Sequence, residues 1–556
     1  MKYTSIIDNT NRPFAIDFGK KNVTANAGLP FLMDRMRRAG FDTSLAEIIS
    51  RYAPRPRPFY VYDTTEILNQ MLGAYFLGRP DFIEVEDLSR DELFRRCMLN
   101  RSVASAATLS RFCDRIEQVC RDQQTATLLE RDIKFEDLEK TNAARVTNPL
   151  FDELLDATLD QAIRLLKKQG HNGWIHVDVD STPIELFGLQ DEGSFDAHYG
   201  VHSYLPIFVS INGIPAFVQN APGAASGAKL MLLHVRHVVT KLKSAFPNAK
   251  IVIRGDTGYN NDDLIEAIKA EGCRFLFGCN VSAKKMRLAL ADEVTTFFAA
   301  DLYGTLKVPP EVFNRLVPLG GLFEDRLHGP GKRTKTTAYT QDGKFRTCGF
   351  LRDFKLKSWS SSRTIAYRLQ YSPGFQDIDL RFIQTNLSFQ EIEELAGKRG
   401  VLKHRALPTQ TFEPTSESAK AAIGLYEAVF SDRGQAERLN SEWKSYCLAE
   451  RCSLKGFFSN SFRLVLALTV MQVFEELRIE MRRREEPRRP ETKRGSRKPN
   501  RTRAHWAPMR RCGPTIRSIR RNLICVPCEV SVTKTRVTIR SNVSQAWQKR
   551  FDILLS

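Results

Sequence analysis

Long apolar runs are scarce in this sequence. The run from Leu464 to Phe474 is about half of what a helix needs to cross a bilayer, so no membrane-spanning helix and no membrane partner are expected. The opening stretch, MKYTSIIDNTNRPFAIDFGK, lacks the continuous apolar core of a secretory leader, and the expected location is a reducing compartment, the cytoplasm. Paired cysteines are also lacking. Of eleven cysteines only Cys525 and Cys528 form a C-x-x-C pair, and with no second pair at zinc spacing they read as ordinary thiols. A phosphate-binding nucleotide loop is missing too. In GPGKR at 329–333, Arg326 stands where the first glycine belongs and no Ser or Thr follows the lysine.

Acid is in short supply against base. The 556 residues hold 83 Lys or Arg and 64 Asp or Glu, a formal net charge of +19. That balance points to a large polyanion, nucleic acid first, with a basic tail on an ordinary soluble protein as the plainer alternative. Hydrophobic residues at 42% and aromatics at 10% are those of a folded chain rather than a disordered one. The length exceeds what one core usually supports, so two or three structural units are expected.

Residues 1–170 read as a helical N-terminal region, with apolar positions at three- and four-residue spacing in LPFLMDRMRRAGF and DELFRRCML. Ser110, Arg111 and Phe112 lie in a short amphipathic helix that either enters a DNA groove or packs on the core. From Trp174 the period changes to two. WIHVDVD alternates Ile175, Val177 and Val179 with His176, Asp178 and Asp180, the pattern of a strand. YLPIFVSI and IPAFVQ follow, joined by Asn212-Gly213, a tight antiparallel turn. The segment SGAKLMLLHVRHVVTKLKSAF reads as a helix, KIVIRG as a strand ending at Asp256, NNDDLIEAIKAEG as a helix and RFLFGC as a strand.

The expected class is therefore α/β. The order of three antiparallel strands, then helix, strand, helix, strand, resembles the ribonuclease-H-like fold of nucleases and integrases. Residues 171–280 would be its first part, 281–410 a β-rich insertion, 411–480 its final part, and 481–556 a basic linker with a C-terminal segment. Residues 481–521 carry sixteen Lys or Arg against three Asp or Glu, a composition suited to phosphate contacts. The closing CEVSVTKTRVTIR and AWQKRFDILL read as a β pair and a helix.

Phosphodiester cleavage is commonly driven by two divalent ions about 4 Å apart, held by hard oxygen ligands. Asp180 and Asp256 each end a strand, and in the expected sheet those strands are neighbours. Either aspartate alone is more readily a turn or helix cap, and Asp178, on the same strand face as Asp180, competes for the first role. In FSDRGQAERLNSEWK, Phe430, Arg433, Glu437 and Lys444 fall within roughly 60° on one face of a regular helix. Glu442 lies off that stripe. A solvated charged face with an Arg–Glu pair is the ordinary alternative.

At this helix the sequence resembles the DDE insertion-sequence transposases with a Tyr-x2-Arg-x3-Glu-x6-Lys signature, matched by Arg433, Glu437 and Lys444, with Phe430 in the tyrosine position. The wider pattern, DVDST at 178–182, RGDTGY at 254–259, TNL at 385–387 and the later FRLVLAL, resembles the insertion sequence family numbered thirteen-eighty over roughly residues 12–480. NAPGAAS at 220–226 departs from the Arg-Pro-Gly-Asn type of sequence found there. The resemblance implies Asp180, Asp256 and Glu437 as catalytic and metal-binding residues, with Asp180 rather than Asp178 first and Thr182 beside it in D-x-T. It also implies two Mg²⁺ ions, replaceable by Mn²⁺, and phosphate contacts from Arg433 and Lys444. The expected partners are double-stranded DNA with terminal inverted repeats, target DNA and a second copy of the chain. Trp359 is a candidate for stacking on an unpaired or flipped base near the cut, with core packing as the plainer alternative. Two further alternatives are a decayed or repurposed transposase acting as a DNA-binding protein, and a simple nuclease.

Overall fold

A computed structural model of the protein describes residues 2–7, 13–15, 23–55, 61–99, 102–130, 148–170, 173–280, 339–341, 344–371, 379–396, 417–485, 514–533, 536–541 and 548. The chain divides into two compact units. One comprises Met1–Val119, Ser445–Arg451 and Thr469–Ser556, and the other Cys120–Lys444 and Cys452–Leu468.

The first unit holds strands β1 (Lys2–Ile7), β2 (Pro13–Ala15) and β3 (Val23–Thr24) and helices α1 (Leu29–Arg38), α2 (Phe41–Tyr52), α3 (Thr64–Leu77), α4 (Phe82–Asp87) and α5 (Glu92–Cys97). Helix α6 (Ala106–Glu130) begins here. It starts in the expected Ser-rich stretch and buries Phe112 while exposing Arg111. Helix α3 is fixed at its start by a capping box in which the Asp63 carboxylate accepts from Glu66 N, while the Glu66 carboxylate accepts from Asp63 N. The C-terminal segment belongs to this same unit. Arg520 donates to the carbonyls of Phe76 and Tyr75 at 2.9 and 3.1 Å. The expected C-terminal β pair takes β3 as a third strand. Sequence periodicity carries no trace of such a return, because the partners are more than 400 positions apart.

The second unit is built on one nine-stranded sheet. Helix α7 (Pro149–Gln169) precedes β4 (Trp174–Ser181). The short strands β5 (Ile184–Glu185), β6 (Ser194–Asp196) and β7 (Val201–Tyr204) form a separate three-stranded sheet. Then come β8 (Ile207–Ile211), β9 (Ile214–Gln219), helix α8 (Gly227–Ala245), β10 (Lys250–Gly255), helix α9 (Asp262–Ala270) and β11 (Arg274–Cys279). Strands β12 (Tyr339–Gln341), β13 (Lys344–Phe354), β14 (Arg363–Tyr371) and β15 (Asp379–Thr385) complete the large sheet, followed by helices α10 (Phe389–Ala396), α11 (Glu417–Gly424) and α12 (Gly434–Ser445). The strand order is β12-β13-β14-β15-β11-β10-β4-β8-β9.

Strand β4 pairs antiparallel with β8 and parallel with β10, and β10 pairs parallel with β11. The β8–β9 turn is closed by Asn212 and Gly213 at φ 49° and 79°, the left-handed pair such a turn demands. Two features differ from the expectation. A small sheet interrupts the three-strand run, since β5 to β7 intervene between β4 and β8. The β runs after 338 do not stand apart as an inserted unit, because β15 pairs antiparallel with β11 and carries the sheet outward. Asn386 and Thr385 fasten that edge, Asn386 Oδ1 accepting from Phe275 N at 2.9 Å and Thr385 Oγ1 donating to Phe275 O at 2.7 Å. GPGKR at 329–333, most of the basic linker, and the final helix apart from residue 548 lie outside the described residues.

Helix α13 (Phe457–Glu485) is longer than its apolar run suggests. By length and composition it could cross a membrane, but its apolar window is wholly buried in the protein, as in a core helix.

Candidate active site

The polar positions of β4 lie on a central strand that is covered on both faces. Asp178 and Asp180 are 4% and 9% exposed, so each carboxylate needs a partner. They find different ones. Arg254, opposite Asp178 on β10, makes a two-pronged contact, Nε to Oδ1 at 2.6 Å and Nη2 to Oδ2 at 2.8 Å. Its Nη1 reaches Val429 O at 2.8 Å. Asp178 thereby makes a buried ion pair with Arg254 that ties two strands to the segment before α12.

Asp180 faces another cation. Its Oδ1 accepts from Arg433 Nη2 and its Oδ2 from Asn440 Nδ2, both at 3.0 Å. Burial pushes its carboxyl above the usual range against the pull of Arg433 and Asn440, and the nearby Asp256 and Glu437 push it further. Asp256 follows β10 directly. Its Oδ1 accepts from Gly258 N at 2.8 Å, so the turn-cap role anticipated for a strand-end aspartate is real and occupies one oxygen. Oδ2 points to Arg433 Nη2 at 4.0 Å. Gly278 on β11 lets this turn approach, because a Cβ there would meet Thr257 N at 2.8 Å.

The segment carrying the third carboxylate is not one regular helix. Helix α11 runs into a π-helix at Leu425–Phe430 and a 3₁₀ turn at Ser431–Arg433 before α12 begins. The change of pitch breaks the expected four-residue stripe at its first member. Phe430 packs instead against the apolar cluster around Tyr426, with the two rings 6.4 Å apart. The other three keep company. Arg433 Nη1 lies 3.9 Å from Glu437 Oε1, and Lys444 Nζ donates to Thr182 Oγ1 at 3.1 Å and Pro183 O at 2.6 Å. The Glu437 side chain is 67% exposed, whereas Glu442 is buried at 2%, in keeping with its place off the stripe.

Three residues escaped the sequence reading. Asn440 sits seven positions after Arg433, a spacing that returns to the same helix face, so the signal was present. Tyr259 is buried with its hydroxyl 2.6 Å from Ser181 Oγ, and burial raises its phenol well above the usual range. Tyr199, on the β6–β7 turn, has its phenol raised by partial burial and then by the fields of Asp180 and Asp256. Tyr259 closes the RGDTGY stretch, where nothing in the sequence foretells its contact with Ser181, and no motif marks Tyr199.

Trp359 lies in surroundings that suit the plainer core reading. It is 8% exposed and packs with Phe354, Ile365, Tyr367 and Phe382. The Arg363 guanidinium lies 4.2 Å from its ring centroid.

One guanidinium thus stands among three carboxylates drawn from two adjacent strand ends and one helix. Among the described residues no three acidic, His or Cys side chains are grouped closely enough to share one ion; the carboxylates are spread around Arg433. The donor set is nevertheless all hard oxygen, and Asn440 Oδ1 is buried with no hydrogen-bond partner among the described residues. Both features suit a hydrated divalent cation. The described cysteines are all free, Cys525 and Cys528 included.

No curated protein matches the chain. A cryo-EM structure of a piggyBac transposase synaptic complex with hairpin DNA is similar at 12% identity, over 82% of this chain and 77% of that one, with a TM-score of 0.35. Residues 8–494 match the family described as transposase DDE domain group 1, and by that match, which spans most of the sequence, the chain belongs to this family.

Proposed function

We propose that this protein excises and inserts a DNA element by metal-dependent cleavage and strand transfer at terminal inverted repeats, with Asp180, Asp256 and Glu437 as its catalytic carboxylates. The observation that carries the reading is the placement of Arg433 at 3.0, 4.0 and 3.9 Å from those three side chains. Carboxylates so placed repel one another unless a cation stands among them. The segment β4, β8, β9, β10, β11, in the sheet order β9-β8-β4-β10-β11, is read as a ribonuclease-H-like core extended by β12 to β15.

Asp180, Asp256 and Glu437 would hold two Mg²⁺ ions, or Mn²⁺ in their place, supplying activation of a water or DNA 3′ hydroxyl and stabilisation of the leaving oxygen. The remaining work falls to the chain's own side chains. Arg433 and Asn440 orient Asp180 by holding one oxygen each. On DNA binding the donors of the Arg433 fork that do not hold Asp180 would meet a phosphate. Lys444 braces the turn after β4 and offers a second positive charge. The partners under this reading are the two element ends, target DNA and a second copy of the chain, in the synaptic complex implied by the resemblance to the insertion sequence family numbered thirteen-eighty.

The test is strand cleavage of a duplex carrying the native element end, with and without Mg²⁺. Wild type should cut only with the metal, and Asp256→Asn and Glu437→Gln should each lose at least about 100-fold in rate. Full activity in either variant would overturn the assignment.

A further inference from the structure

Asp180 and Asp256 stand at or just past the ends of β4 and β10, and the backbone ladder between those strands stops short of both. Its pairs run from Lys250 with Trp174 to Arg254 with Asp178, two residues before each carboxylate. Beyond that point the two segments need another tie, because the charges of Asp180 and Asp256 repel one another. Arg433 supplies one from a different element, at 3.0 Å from Asp180 and 4.0 Å from Asp256. A second tie joins the two segments directly. Ser181 follows Asp180, Tyr259 lies three residues after Asp256, and their hydroxyls are 2.6 Å apart.

The surroundings of Tyr259 hold that phenol in place. Asp256 and Tyr259 belong to one tight unit: the Asp256 side chain caps the 3₁₀ turn Thr257–Tyr259 through Gly258 N, and its carbonyl accepts from Tyr259 N at 3.3 Å. The tyrosine is 1% exposed, and its ring stacks on Phe277 of β11 with centroids 6.5 Å apart. Two glycines make room for it. A Cβ at Gly255 would meet the ring at 3.0 Å, and one at Gly227, the first residue of α8, would meet the phenol oxygen at 2.9 Å and Ser181 Oγ at 2.5 Å. A hydroxyl so buried needs a hydrogen-bond partner, and Ser181 provides it. Such enclosure suits a group that holds others in place rather than one that touches substrate.

We propose that the Tyr259–Ser181 hydrogen bond is a positioning contact that fixes the separation of Asp180 and Asp256, and through it their joint affinity for a divalent ion. The inference rests on the reading of these aspartates as metal ligands. An ion of the Mg²⁺ kind tolerates little error in ligand placement, with oxygens at about 2.0–2.1 Å in a near-ideal octahedron. Carboxylates on segments free to drift by more than about 0.5 Å hold it less well. Tyr259 and Ser181 restrain that drift where the ladder has ended.

The test measures Mn²⁺ binding to the full chain, read from the electron paramagnetic resonance of the free ion, alongside cleavage of the element-end duplex. Tyr259→Phe deletes one oxygen and keeps the ring, and Ser181→Ala deletes the other oxygen. Each should weaken Mn²⁺ binding roughly fivefold, the effect of one hydrogen bond. The Mg²⁺ concentration for half-maximal cleavage should rise by the same factor, while the rate at saturating Mg²⁺ stays within about twofold. The double variant should bind Mn²⁺ as the single variants do, because the second deletion removes nothing further. Wild-type Mn²⁺ affinity in Tyr259→Phe would reduce the contact to packing and overturn the inference, and so would losses that add in the double variant. Asp256→Asn separates the inference from the reading beneath it. Lost Mn²⁺ binding there, beside unchanged binding in Tyr259→Phe, sinks the positioning role alone, whereas unchanged binding in Asp256→Asn sinks the metal-ligand reading as well.

Discussion

Arg433 and Asp180 are 253 positions apart in the chain, yet Arg433 Nη2 donates to Asp180 Oδ1 at 3.0 Å. The same guanidinium is within 4.0 Å of Asp256 and Glu437. Removing it leaves Asp180, 9% exposed, without its cation. Arg433→Ala should destabilise the fold by about 3 kcal/mol, the usual consequence of breaking one side of a buried pair. Arg433→Lys should recover most of that stability but little of the cleavage, since an ammonium lacks the planar fork. Chemical denaturation and cleavage rates on both variants check the split. Equal activity in wild type and Arg433→Lys would refute a phosphate-gripping role.

The two aspartates of β4 should separate cleanly. Asp178→Asn strips Arg254 of its charge partner at 2.6 and 2.8 Å, and about 3–5 kcal/mol of stability should go with it. Asp180→Asn should fold and fail to cleave. Melting curves and metal-dependent cleavage read the two effects. If Asp178→Asn proved the dead but stable variant, the roles would be reversed.

Asn440 acts through Asp180 by holding Oδ2 at 3.0 Å. Asn440→Ala should slow cleavage roughly tenfold, the worth of one hydrogen bond to a charged group, and should raise the Mg²⁺ concentration needed for half-maximal rate. A metal dependence identical to wild type would limit Asn440 to packing.

His234 is buried against Phe217, with its Nε2 on Gln219 Oε1. Burial, helped by His237, depresses its pKa from 6.5 to about 4. A depressed histidine contributes stability that is present above pH 6.5 and is lost as pH falls toward 4, because the unfolded chain takes up the proton first. The loss should approach about 3 kcal/mol at its fullest. Tm should fall between pH 7 and pH 5, and His234→Gln should flatten that fall. An unchanged slope would assign the effect to other groups.

Trp359→Ala removes a large ring from a small apolar cluster and should cost about 3–5 kcal/mol. Cleavage per folded molecule should stay near wild type. A selective loss of cleavage at unchanged stability would restore the catalytic expectation.

Local pattern was enough for much of this protein. Alternation in WIHVDVD, the Asn212-Gly213 turn and the strand ending at Asp256 are short-range signals, set by period and turn chemistry. They foretold the strands β4, β8, β9, β10 and β11. The Arg433, Glu437 and Lys444 spacing likewise marked one helix face, because three- and four-residue steps are read directly along a helix. Tertiary structure decided the rest. Asp178 and Asp180 have the same residue type, strand and face, and the structure gives each a different cation, Arg254 or Arg433. The pitch change at Leu425–Arg433, which turns Phe430 into the core, follows from how that segment packs and has no sequence period of its own. Strand β15 joined β11 instead of forming a separate unit because an exposed sheet edge seeks a pairing partner, and which strand supplies it is a long-range choice. Burial did the same for aromatics: Trp359 was enclosed and Phe187, Phe195 and Tyr199 were left in solvent, a distinction that composition cannot express.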